Sequence, residues 1–253
     1  MENIQQLALY GVLVSARIAP VFVGTSLSPL ARIPMTIRVY LVLLLSLFII
    51  LTVAPSSLES LSIEGFIVAF FKELLLGIAL AFGIQTLFAG LAFAGRMVDM
   101  QIGFGAAGII DPMTKQSEAL TGTILTSIAI LLFFLTNTHH LLLELLVSSV
   151  GAVPIGTANI GNLPLSLFVT ELGIQFLFGL MVVIPVAVGL LLVDTIIAFT
   201  SRTMPQMNVY FVTLPLKIFL GILILGYSIQ FSAPAFSRLY ENLSQYWLKV
   251  LGA

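Results

Sequence analysis

Leu74–Gly95 reads LLLGIALAFGIQTLFAGLAFAG, with no Asp, Glu, Lys or Arg in the run. A helix needs roughly 20 apolar residues to cross a hydrocarbon core, so this stretch is long enough to span one. Gly77, Ala81, Gly83, Gly90 and Ala94 are small, which lets neighbouring helix backbones come close. Gln85 is an amide that needs a hydrogen-bond partner in apolar surroundings. The stretch therefore predicts a helix packed against protein on several sides.

Working outward, the runs Val39–Leu58, Ala119–Leu143, Leu145–Thr170, Leu172–Val193 and Ile218–Ser237 also lack charged residues. Ile4–Val23 would join them but for Arg17, and Pro20 should kink or end its helix. Punctuation breaks several runs. Ala54-Pro55-Ser56-Ser57 is a turn signal, Thr136-Asn137-Thr138-His139-His140 reads as a hairpin turn or helix break, and Val153–Pro164 reads as a loop. Pro185 should bend its helix. Pro234–Val250 differs from the rest. Phe236, Leu239, Tyr240, Leu243, Tyr246, Trp247 and Val250 recur at helical spacing, with Arg238, Glu241, Gln245 and Lys249 between them. The expected fold is an all-α membrane protein of about six to seven apolar, partly kinked helices and helical hairpins, closed by an amphipathic C-terminal helix. One domain is expected over 1–253, with N-terminal hairpins in 1–160 and the C-terminal hairpin and amphipathic helix in 161–253.

Composition agrees. Hydrophobic residues make up 59% of the chain and charged residues 8%, against about 25% charged in a soluble domain. So few charges cannot cover a water-facing surface. The net charge of −1 leaves no basic patch for nucleic acid. The absence of cysteine excludes disulfides, thiolate metal sites and cysteine nucleophiles. The N-terminus lacks the marks of a cleavable signal peptide, so the first apolar segment is expected to persist.

The informative residues are charges among apolar ones: Arg17, Arg32, Arg38, Glu73, Arg96, Asp99, Asp194, Arg202 and Lys217. Each would cost about 2.5–3.5 kcal/mol facing lipid at mid-bilayer. Most must face protein or water. Arg96 and Asp99 are spaced to pair on a helix. Asp194 and Arg202 stand roughly 12 Å apart along one and cannot pair without a bend. One reading of these charges is a structural ion pair or a helix-end anchor; the other is contact with partner subunits or an aqueous path. Gln101–Glu118 holds three glycines and Asp111-Pro112 between two apolar helices. It is either a plain connection or a re-entrant segment, since irregular backbone at that depth must be buried in protein or line a cavity. Gly103–Gly108 matches a dinucleotide fingerprint in letters only, because no strand pattern precedes it. His139 and His140 are adjacent and should point to different helix faces, so no shared metal is expected. With no catalytic constellation in view, the chain is expected to be neither an enzyme nor a cofactor binder.

Several fragments together resemble one family. They are Arg17-x-x-Pro20, Pro34-x-x-x-Arg38, Glu73-x-x-x-Gly77, Gln85-x-x-Phe88, Ala94-Gly95, Gln101-x-Gly103-Phe104 and Asp111-Pro112. His139-His140, Ser148, Pro154, Asp194, Arg202-x-x-Pro205-Gln206-x-Asn208 and Pro215-x-Lys217 follow in order. The pattern is similar to the FliR family, a membrane subunit of the type III secretion export apparatus, and to its virulence counterpart. It departs at Ile102, where Met is expected, and at Thr138, where Gly usually precedes the histidines.

The resemblance implies a structural, channel-forming subunit of a flagellar export gate in the bacterial inner membrane, at the basal body. FliP-like and FliQ-like subunits would complete a helical ring, with FlhB-like and FlhA-like components, exported unfolded proteins and membrane lipid as further partners. It also implies a pore plug from about Gly103–Gln116, including Gly103, Phe104, Gly105, Gly108, Asp111, Pro112 and Met113. Subunit contacts or buried polar roles fall to Arg17, Glu73, Gln85, Arg96, Asp99, Asp194, Arg202, Pro205, Gln206, Asn208 and Lys217. The alternative is a secondary transporter for a small solute, which also uses broken helices and buried charges. It predicts two similar halves, and no repeat relates 1–125 to 126–253.

Overall fold

A computed structural model describes residues 2–24, 33–52, 63–104, 120–158, 161, 163–203 and 209–252. Among them the chain forms seven α-helices and no strand. They are α1 (Glu2–Phe22), α2 (Met35–Thr52), α3 (Ile63–Ile102), α4 (Leu120–Leu135), α5 (Thr138–Ala152), α6 (Leu165–Thr203) and α7 (Val209–Leu251). The chain is an all-α protein with the apolar helices of a membrane protein. Among the described residues, four segments are long and apolar enough to cross a bilayer: Met35–Thr52, Ile63–Ile102, Leu165–Thr203 and Thr213–Ser232. The broken pair α4 and α5 makes a fifth if it counts as one span.

Local signals explain several boundaries. Pro20 sits in the last turn of α1, and the helix ends at Phe22. The Pro34 carbonyl accepts the first helical bonds of α2, from Ile37 and Arg38. Between α4 and α5 Asn137 takes a left-handed backbone, φ 56°, a conformation Asn tolerates better than most residues. The break expected before the histidines is therefore real, and Thr138 opens α5.

Other boundaries differ from expectation. The charge-free runs placed ends at Glu73, Arg96, Glu171 and Asp194, yet α3 and α6 pass straight through them. A charged residue ends a lipid-facing run, not a helix whose side chain finds a partner. The segment Pro234–Val250 is not a separate helix but the last part of α7, which also contains Pro215 and Pro234. Likewise α6 stays continuous through Pro185. Gln101 and Ile102, expected in irregular backbone, complete α3.

The chain packs as two compact units. The first comprises Met1–Phe88, Phe133–Leu172 and Tyr240–Ala253. Its core includes Leu13, Ile18, Leu80, Leu87, Tyr240 and Trp247. Here α1 packs on α2. Gly77 presses on the Arg17 backbone so closely that an added Cβ would lie 2.2 Å from its carbonyl oxygen. The Tyr246 hydroxyl donates to the Ala79 carbonyl at 2.7 Å. The whole apolar stripe from Tyr240 to Val250 is buried, which is why that part of the sequence looks amphipathic.

The second unit comprises Ala89–Leu132 and Gly173–Leu239. Gly90 and Gly179 meet backbone to backbone, as do Gly95 and Gly122. A Cβ on Gly95 would lie 2.2 Å from the Gly122 Cα. The Ser228 hydroxyl donates to the Val182 carbonyl on α6.

Candidate functional site

In the first unit Arg17 on α1 and Glu73 on α3 form an ion pair with both side chains 0% exposed. Arg17 Nε donates to Glu73 Oε2 at 2.6 Å, and Arg17 Nη1 donates to the Ser149 carbonyl on α5 at 2.8 Å. Glu73 Oε1 accepts the Gly156 N–H at 2.8 Å, which ties down the turn after α5. Gly156 has φ +88°, a backbone open to glycine. One ion pair therefore gathers α1, α3, α5 and the following turn. Arg17 Nη2 is buried without a hydrogen-bond partner among the described residues.

In the second unit Asp99, 5% exposed on α3, faces the start of α4. Its Oδ1 and Oδ2 accept the Thr121 N–H at 3.0 and 3.1 Å, and Oδ1 also accepts the Thr121 hydroxyl. An acceptor from another helix thus serves as a cap for α4, where free N–H groups and the helix dipole favour a carboxylate. This role is invisible in the spacing of Asp99 from Arg96. Farther along, Asp194 on α6 pairs with Lys217 on α7 at 2.6 Å. Its partner comes from another helix, as the distance to Arg202 along α6 required. The Asp194 side chain is 50% exposed.

The remaining expected residues are scattered. Gln85 Nε2 donates to the Gly24 carbonyl at 3.4 Å. Arg96 lies exposed on α3. Arg202 lies exposed in the last turn of α6, where a cation suits the helix dipole. Arg38 Nε donates to the Ile33 carbonyl at 2.9 Å. Gly103, φ +101°, and Phe104 follow the end of α3. Gly105, Gly108, Asp111, Pro112 and Met113 lie outside the described residues, as do Arg32, Pro205, Gln206 and Asn208.

Some polar positions escaped the sequence reading. Glu171 and Gln175 are buried one turn apart on α6. Their (i, i+4) spacing inside an apolar helix was the available signal. Burial, and then Glu171, push the Tyr246 phenol above its ordinary range. Ser149 and Gly156 act through backbone groups that sequence does not single out, and Thr121 through its N–H as well as its hydroxyl. The His139 and His140 rings lie 4.1 Å apart, and His139 packs on Phe134. No group of three metal-ligating side chains occurs among the described residues.

The family described as bacterial export proteins, family 1, matches residues 8–243. The chain belongs to this family. Among the relatives of this export-protein chain is the flagellar biosynthetic protein FliR of Bacillus subtilis (strain 168). It is 31% identical over 229 residues, 89% of this chain and 88% of the relative. The flagellar biosynthetic protein FliR of Escherichia coli (strain K12) is 30% identical over 173 residues, 68% of this chain and 66% of the relative. The Yop proteins translocation protein T of Yersinia pestis is 26% identical over 156 residues, 61% of this chain and 60% of the relative. The resemblance carried by the motifs is thus a family relationship along most of the export-protein chain.

Proposed function

We propose that this export-family chain is a structural, channel-forming subunit of a bacterial flagellar type III protein export gate. In this reading it lies in the inner membrane at the basal body and acts as a single functional domain, without catalysis. It closes a helical ring with FliP-like and FliQ-like subunits, beside FlhB-like and FlhA-like components. Unfolded proteins pass through the pore, which residues 103–116 seal at rest.

One observation supports this reading above others. A chain related along most of its length to flagellar FliR proteins keeps its apolar faces uncovered. Leu44 and Leu51 on α2, Leu191 and Phe199 on α6, and Phe219 and Phe231 on α7 are all exposed. Lipid and neighbouring subunits are the two surroundings that would take such surface.

The test is assembly followed by conductance. Tagged chain co-expressed with FliP-like and FliQ-like subunits should purify as a defined complex. Alanine at Arg202, Gln206 and Asn208 together should abolish that recovery. Deleting residues 103–116 should leave the complex assembled and make the membrane leak ions. Normal assembly of the triple variant would remove those residues from the interface, and a tight membrane in the deletion would end the plug role.

A further inference from the structure

The ion pair between α6 and α7 in the second unit is lopsided. Lys217 Nζ meets Asp194 Oδ1 at 2.6 Å, yet the lysine side chain is 17% exposed and the aspartate side chain 50%. The outward charge at this place is therefore negative. Arg202 does not offset it, because it stands roughly 12 Å farther along α6, in the last turn, where a cation suits the helix dipole. The surroundings are apolar. Leu191 lies one turn before Asp194 on the same face of α6 and Ala198 one turn after it, and both are exposed. Leu192, Ile196 and Phe199 are exposed around the rest of the helix at this level.

Neither simple environment suits this face. Hydrocarbon accepts the leucine and strands the carboxylate. Water accepts the carboxylate and wets the leucine and its apolar neighbours. An apolar protein surface with one cation in it satisfies both. We propose that the Asp194 face of α6 docks an apolar helix of a neighbouring subunit, and that this helix carries an arginine or lysine against the carboxylate. The identity of the neighbour as a FliP-like or FliQ-like subunit rests on the export-gate reading; the chemistry of the contact does not. Asp194 then stands between two cations, Lys217 from its own chain and one from the neighbour. Apolar residues on both sides keep salt and water from screening the second contact, so its loss is felt in assembly.

In the full chain co-expressed with FliP-like and FliQ-like subunits, a photoreactive benzophenone amino acid replaces Leu191, and the adduct formed on irradiation is mapped by mass spectrometry. The expected adduct lies in an apolar segment of another subunit, within about one helical turn of an arginine or lysine. An adduct in a segment without a basic residue, an adduct with lipid alone, or no adduct overturns the proposal. Mutation supplies a second readout. Asp194→Asn should lower recovery of the complex at least about tenfold. If the pair served its own chain alone, removing both charges with Asp194→Asn and Lys217→Gln would restore recovery. The double variant should instead stay as low as the single one, because the neighbour's cation is still unmet. Recovery at the wild-type level in the double variant overturns the docked cation. Should Asp194→Asn fail to fold, the adduct map, made with both native charges in place, decides by itself. A wild-type chain that recovers neither FliP-like nor FliQ-like subunits defeats the export-gate reading, and the adduct formed in native membranes still judges this face.

Discussion

Arg17 and Glu73 are 56 positions apart in sequence and in direct contact in the fold. Each side chain has a second hydrogen bond, to the Ser149 carbonyl and from the Gly156 N–H. Removing one partner strands a buried charge. Glu73→Leu should therefore destabilise the chain by about 3–5 kcal/mol, read by thermal or denaturant unfolding in detergent. Replacing both residues, Arg17→Met with Glu73→Leu, should recover most of that loss, since a buried ion pair is often matched by well-packed apolar groups. Equal destabilisation of the single and double variants would show that the backbone hydrogen bonds matter more than the charges. A charge swap of the two residues should not restore stability. The acceptor for Gly156 would then be gone. Sequence picked out both residues as out of place in lipid. Their pairing was not legible, because nothing in a one-dimensional pattern relates position 17 to position 73.

At the scale of elements, the helices outrun the apolar runs that announced them. The 40 residues of α3 and the 43 of α7 correspond to roughly 60 Å or more at 1.5 Å per residue, about twice a hydrocarbon core. Prolines inside α6 and α7 do not end them, although each removes one helical hydrogen bond. The break between α4 and α5 was legible because Asn137 and its neighbours carry turn chemistry. Its left-handed backbone makes a direct prediction. Asn137→Gly should be tolerated, whereas Asn137→Val should cost about 1–2 kcal/mol for forcing a β-branched residue into that region. Comparing unfolding midpoints of the two variants checks this, and equal midpoints would mean that the turn relaxes to another conformation. The helix faces built by glycine are similarly strict. Gly95→Ala should impair folding, because its Cβ would run into backbone and not into a side chain that can turn aside.

For the whole molecule, exposed leucine, isoleucine and phenylalanine on α2, α6 and α7 show a chain that does not complete its own surface. Partner subunits that bind the folded chain and not the unfolded one stabilise it by mass action. Purified with FliP-like and FliQ-like subunits, the chain should unfold at a higher temperature than when alone in the same detergent. An unchanged midpoint would count against assembly as the fate of those faces. Family, helical class and membrane character were all legible in the sequence, because each is written locally. Apolar runs of spanning length, turn residues at their ends and ordered motif fragments need no knowledge of what touches what. Only the tertiary structure decided that Glu73 caps a turn as well as pairing with Arg17, that Asp99 caps α4, and that Lys217 is the partner of Asp194. Charge type limits what a side chain can accept or donate. Which donor it meets depends on how distant helices pack, and that is set by the close glycine contacts and buried stripes of the folded chain.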